Sequence, residues 1–141
     1  MNGFYLAFAL TVAGMVLYHL SQKNVPRETN PLFVIAIAYA VGIVLCVVFA
    51  FTYPERKSLV DTFKASNWAV FTLGAAAALI ELGFLLAYRT GWRISIAAVA
   101  SNAAAAVVLV PIGLIVFKDQ LSLGNVIGLF LCIVGLALIV R

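Results

Sequence analysis

The stretch Trp68-Ala-Val-Phe-Thr-Leu-Gly-Ala-Ala-Ala-Ala-Leu-Ile-Glu81-Leu-Gly-Phe-Leu-Leu-Ala-Tyr88 decides how this chain is read. Asn67 and Arg89 close it, and Glu81 is the one charge inside. An apolar run of about 22 residues is the length of one membrane-crossing helix. A carboxyl at that depth costs roughly 3 kcal/mol or more unless it is neutral, paired or facing water. No Lys or Arg lies inside any apolar run, so no basic side chain is placed to neutralise it. A polar cavity within the membrane is the expected answer.

The rest of the chain repeats this pattern. Of 141 residues, 65% are hydrophobic and 10% charged, too little polar surface for a water-soluble domain. The bilayer is the solvent, and residues 1–141 read as a single transmembrane domain. Five apolar segments fall at about 3–20, 31–52, 67–88, 93–117 and 123–140. Each is expected to be a helix, because lipid offers no partner to free backbone groups. The expected class is an all-α, multi-pass protein of the cell membrane. Met1-Asn2-Gly3-Phe4 has no positive region ahead of its apolar stretch, so 3–20 reads as a span rather than a cleaved leader.

Helix punctuation agrees. Asn30-Pro31 supplies an N-cap followed by proline at the first helical position. Ser66 or Asn67 can cap the third span, and Ser122 the fifth. Gly91 can end the third span in a left-handed residue, making Thr90-Gly91-Trp92 a tight hairpin. In the 53–66 connection, Leu59, Val60 and Phe63 suit a turn or two of interfacial helix.

That hairpin carries the site reading. Glu81 lies ten residues before Gly91, Ser101 ten after it and Asn102 eleven after it. At about 1.5 Å per residue all three fall near one depth, close to the midplane of a ~30 Å core. Gly74, Ala77, Ala78, Phe84 and Tyr88 share the face of Glu81 at helical spacings. Small residues leave space on one side, and aromatic rings can wall a pocket on the other. The functional reading makes Glu81 a proton or cation site; the structural one makes it a hydrogen-bonded acid that holds helices together. Tyr18, seven residues from Thr11, and Tyr39, nine residues into its run, can stack on a planar or cationic substrate or simply pack. His19, at the end of the first segment, reads as an interfacial anchor or a proton relay. Pro111 removes a backbone bond to Val107 and is either a hinge or a static bend. Gly124, Gly128, Cys132 and Gly135 form a small-residue stripe suited to an interface between chains or to close packing within one.

Other chemistry is poorly supplied. Cys46 and Cys132 lie in apolar runs and read as small core residues. One His and no His/Cys cluster leave no expected metal or cofactor, and no nucleophile–base pair shares a depth, so an enzyme is not expected. The net charge of +4 resides in short connections, as in membrane proteins generally, and is no footprint of nucleic acid.

An odd number of spans puts the termini on opposite sides. Arg56, Lys57, Lys64 and Lys118 then face Lys23, Arg27, Arg89, Arg93 and Arg141 across the bilayer. The positive-inside rule has almost no asymmetry to act on. The chain is either weakly biased or of dual topology, with copies inserted both ways and paired antiparallel as a two-chain analogue of an inverted repeat.

The C-terminal third reads Pro111-Ile-Gly-Leu-Ile-Val-Phe117-Lys-Asp119-Gln-Leu121-Ser122-Leu-Gly-Asn125-Val-Ile-Gly128. It resembles the end of a domain in the drug/metabolite transporter superfamily, of the EamA-like kind, and Asn30-Pro31, opening the second helix, also resembles a group of short members. There a proline in the penultimate helix precedes an acidic residue, a Leu-Ser/Thr turn and a last helix with spaced glycines. Asp119 stands where that family usually has Glu. The resemblance implies a five-helix unit, half of a ten-helix architecture, and hence a homodimer that moves a small metabolite or drug. The four-helix small multidrug resistance branch carries its membrane Glu in the first helix. Here the acid is in the third, so proton-coupled export does not carry over residue by residue.

The reading is an alternating-access transporter, antiparallel dimerisation favoured, with Glu81, Ser101, Asn102, Tyr18, Tyr39 and Tyr88 lining the substrate or proton site. The alternative is a non-transporting membrane subunit that supports a larger partner. Dual insertion predicts that a reporter fused to the C-terminus gives signal from both compartments; signal from a single compartment ends that reading.

Overall fold

Asn30 shows how this sequence starts a helix. Its extended backbone (φ −69°, ψ 120°) lets the side-chain oxygen accept from the Leu32 amide, and Pro31 follows with no amide to satisfy. Asn67 does the same for the Ala69 amide, and Ser122 for that of Asn125. The computed structural model describes residues 2–53 and 58–139.

Six helices follow in order: α1 (Asn2–Asn24), α2 (Pro31–Ala50), α3 (Leu59–Ala65), α4 (Trp68–Arg89), α5 (Ile94–Ile115) and α6 (Leu123–Ile139). The described residues contain no strand. α1, α2, α4 and α5 are each long and apolar enough to cross a membrane. α6 is apolar but shorter, at 17 residues, or about 26 Å of helix. α3 is the short element of the long connection. Its Ser58 caps the Asp61 amide and bonds the Asp61 carboxylate, and Phe63 meets Phe71 of α4 edge-on at 6.3 Å. Arg56, Lys57 and Arg141 of the charge tally lie outside the described residues.

The chain forms two compact units, Met1–Leu20 with Gly91–Arg141, and Ser21–Thr90. In the first, α6 packs on α5; in the second, α4 packs on α2. α5 continues through Pro111, and an apolar cavity of about 180 Å³ opens beside that proline, between Val107 and Val110 of α5 and Leu129 and Cys132 of α6. Beyond Ile115 the chain turns back through Lys118, a non-glycine residue at φ 55°, and the Asp119 amide donates to the Gly113 carbonyl at 3.0 Å.

Few apolar side chains are buried: Ile35, Leu85, Tyr88, Ala97 and Ala100 among the described residues. Phe4, Phe51, Phe117 and Leu123 are each more than 70% exposed. An apolar surface this extensive requires lipid or another membrane helix against it. The same fact corrects the reading of the cysteines. Cys46 and Cys132 are free thiols on exposed helix surface, not core residues.

Gly91 adopts φ 101°, as its place after α4 requires. An L side chain there costs about 1–2 kcal/mol. Gly91→Ala should therefore lower the melting temperature in detergent. Gly83→Ala, within α4 and with open space around the added methyl, should leave it unchanged or raise it.

Candidate functional site

α1 does not stop where its apolar run stops. It continues past Leu20 to Asn24 and carries Gln22 on its last helical turn. Gln22 is buried, with 8% of its surface exposed. Its Nε2 donates to Glu81 Oε2 at 2.6 Å and lies 3.3 Å from the Glu81 carbonyl oxygen. One amide thus engages the side chain and the main chain of the same residue. A carboxylate and a protonated carboxyl can both accept this bond, so it is compatible with either charge state of Glu81.

Glu81 is half-buried on the face of α4 that also holds Ala77, Ala78, Phe84, Leu85 and Tyr88. Gly74, expected on the same face, is exposed with open space around it. Tyr39 stands on α2, which packs on α4. Its hydroxyl is shielded from solvent and has no hydrogen-bond partner among the described residues. Leaving such a group unsatisfied costs about 1–3 kcal/mol, so the position favours an incoming polar atom.

Toward the end of α4 the site becomes cationic. Tyr88 is 3% exposed and stacks on Phe84 at 6.2 Å, and Lys23 Nζ sits over the Tyr88 ring, 5.4 Å from its centre. Arg89 Nη2 donates to the Thr29 carbonyl at 2.8 Å and to the Thr29 hydroxyl at 3.0 Å, with the Pro26 carbonyl at 3.4 Å. This fork ties the α1–α2 loop to α4. A cavity of about 40 Å³ lies among Gln22, Lys23, Val25, Arg27, Tyr88 and Arg89. It has room for a water-sized group.

Of the residues singled out by sequence, Glu81, Tyr39 and Tyr88 lie together in the Ser21–Thr90 unit. Tyr18, Ser101 and Asn102 belong to the other unit. Tyr18 and Ser101 are half-buried there and Asn102 is exposed. His19 is 6% exposed and meets Tyr18 edge-on at 4.9 Å, a buried setting unlike that of an interfacial anchor. Gly128 and Gly135 have open space where a methyl would go, and Gly124 has only the Ser122 hydroxyl near it, at 3.7 Å.

Gln22 and the Arg89 fork were not anticipated. The signal for Gln22 was present: Thr11, Tyr18 and Gln22 follow at spacings of seven and four, one polar stripe that outlasts the hydrophobic run. No group of metal-ligating side chains occurs among the described residues.

The family model described as the EamA-like transporter family matches residues 2–141. The uncharacterized protein MJ1333.1 of Methanocaldococcus jannaschii is 29% identical over 114 residues, covering 79% of this chain and 78% of that protein. No solved structure matches the chain significantly.

Removing Gln22 should take a short hydrogen bond from the Glu81 carboxyl. Gln22→Ala is expected to destabilise the folded protein by about 1–3 kcal/mol. In a double-mutant cycle with Glu81→Ala, unfolding in detergent should show coupling of about 0.5–3 kcal/mol. Strictly additive losses would mean that the two side chains do not support one another.

Proposed function

The chain belongs to the EamA-like transporter family, and from that premise we propose that it moves a small metabolite or drug across the cell membrane by alternating access. The observation that carries this reading is Glu81, an acid inside a helix long enough to span the bilayer, bridged by Gln22 to the end of α1. The cavity at the end of α4 is lined by Gln22, which donates to the carboxyl, and in this reading water and protons come to Glu81 from that side.

In this reading Glu81 is the coupling group. Hydrogen bonds to an ionised acceptor are shorter and roughly twice as strong as those to a neutral one. Protonation of Glu81 therefore weakens its hold on Gln22, and deprotonation restores it. Loading a proton loosens the last turn of α1, Ser21–Asn24, from α4; releasing it draws them together. Tyr39 and Tyr88 complete the site within the Ser21–Thr90 unit, and Tyr18, Ser101 and Asn102 are proposed as substrate contacts within their own unit. Pro111 is assigned the hinge in α5, because its ring removes the backbone bond that would stiffen that turn.

The family resemblance makes residues 1–141 one five-helix unit of the kind that larger members carry twice in inverted orientation. On that resemblance a homodimer is the proposed working form, antiparallel in view of the near-even charge tally. Gly124, Gly128 and Gly135 are its proposed contact stripe, since small residues allow close backbone approach.

Glu81→Gln keeps the shape and a hydrogen-bond acceptor while removing the titratable group. In proteoliposomes with an imposed pH gradient, the variant should fold normally and lose proton-driven flux. Flux equal to the wild type would remove Glu81 from the mechanism. Gly128→Leu should lower the dimer fraction in bilayers, and an unchanged fraction would count against the α6 contact.

A further inference from the structure

The cavity at the end of α4 is lined by two residues that each bring a buried polar atom, and the two atoms are of opposite kind. Gln22, 8% exposed, uses Nε2 on Glu81, while its Oε1 is shielded from solvent and accepts no hydrogen bond among the described residues. Arg89 makes the Thr29 and Pro26 bonds through Nη2, while its Nε is shielded and donates to none of the described residues. An acceptor and a donor buried in this way call for partners, and the two do not bond one another. We propose that the cavity binds a water molecule that accepts from the Arg89 Nε–H and donates to Gln22 Oε1.

The lining residues select this class of ligand. An anion offers lone pairs only and has no proton for Oε1. A cation would meet the positive charges of Lys23, Arg27 and Arg89 at the wall, and Lys23 is itself engaged over the Tyr88 ring. A neutral O–H group serves both atoms, because it accepts and donates at once. The space of about 40 Å³ has room for a water and is too small for a whole metabolite. Bridging two polar groups that cannot reach each other is what ordered water does in proteins.

The water completes a chain of hydrogen bonds with one direction. Arg89 Nε–H donates to the water, the water to Gln22 Oε1, and Gln22 Nε2–H to Glu81 Oε2. Each link polarises the next, so the amide donates more strongly when its oxygen accepts. The significance of that chain for transport rests on the proposed coupling at Glu81; the water site itself does not.

The test is side-chain footprinting by synchrotron radiolysis, on the full chain in a neutral detergent. Radiolysis of a bound water releases a hydroxyl radical that adds to a neighbouring ring. Tyr88 lines the cavity and is 3% exposed, so radicals from bulk water reach it poorly. The wild type should nonetheless be modified at Tyr88. Val25 is also on the cavity wall. Val25→Ile adds one methyl group there and should abolish the modification of Tyr88, while Tyr53, 65% exposed, is modified as before. Val25→Ala enlarges the space, keeps the water and should keep the modification. Val25→Leu repeats the filling experiment should Val25→Ile lose cooperative melting. An unmodified Tyr88 in the wild type overturns the assignment. So does modification that persists in a folded filling variant. Neither result depends on flux, so the Glu81→Gln transport assay stands or falls separately.

Discussion

The hydrogen bond from Gln22 Nε2 to Glu81 Oε2 is the contact on which the rest of the site depends. It lets an acidic side chain persist in a helix built to cross lipid. Without a donor, the carboxyl would face the full cost of placing a polar group in hydrocarbon. The amide supplies a hydrogen bond and no charge, and such a donor is compatible with either protonation state of the acid, as the proposed proton coupling requires.

Lipid as solvent explains why so little of the chain is buried. Each helix satisfies its own backbone, and each leaves large apolar side chains on its outer surface. Buried apolar positions among the described residues are few: Ile35 on α2, Leu85 and Tyr88 on α4, and Ala97 and Ala100 on α5. Polar contacts in the Ser21–Thr90 unit run from Glu81 to the Arg89 fork, within eight residues of one helix. That arrangement places the contacts of Glu81 and those of the α1–α2 loop on one helix.

Helix starts were legible because they rest on local chemistry. Asn30, Asn67 and Ser122 cap as their residue types dictate, and Gly91 takes the left-handed conformation that its position demands. Glu81 stood out because charge is rare in a span. Its partner did not, because hydropathy locates where apolar residues stop and not where a helix stops. α1 carries its hydrogen-bonded turns beyond the hydrophobic run, and Gln22 lies in that overhang. The cysteines misled for a related reason. An apolar neighbourhood in sequence marks contact with lipid as readily as burial in protein, and Cys46 and Cys132 lie on the outer surface. Arg89 was legible as the end of a span, but its fork onto Thr29 and Pro26 depends on how the α1–α2 loop folds back, which no local pattern encodes.

Proton coupling at Glu81 requires water to reach its carboxyl from the polar cavity at the end of α4. Ala78 lies three residues before Glu81, half-buried on the same side of the helix. The decisive measurement is the reaction of an Ala78→Cys variant, with Cys46 and Cys132 replaced by Ala, toward a charged, water-soluble thiol reagent in proteoliposomes. Modification well above that of the same background carrying Cys46 alone, an exposed position within α2, is the predicted result. A thiol at position 78 no more reactive than Cys46 would show that the acid sits in a dry contact, and the transport mechanism would fail with it.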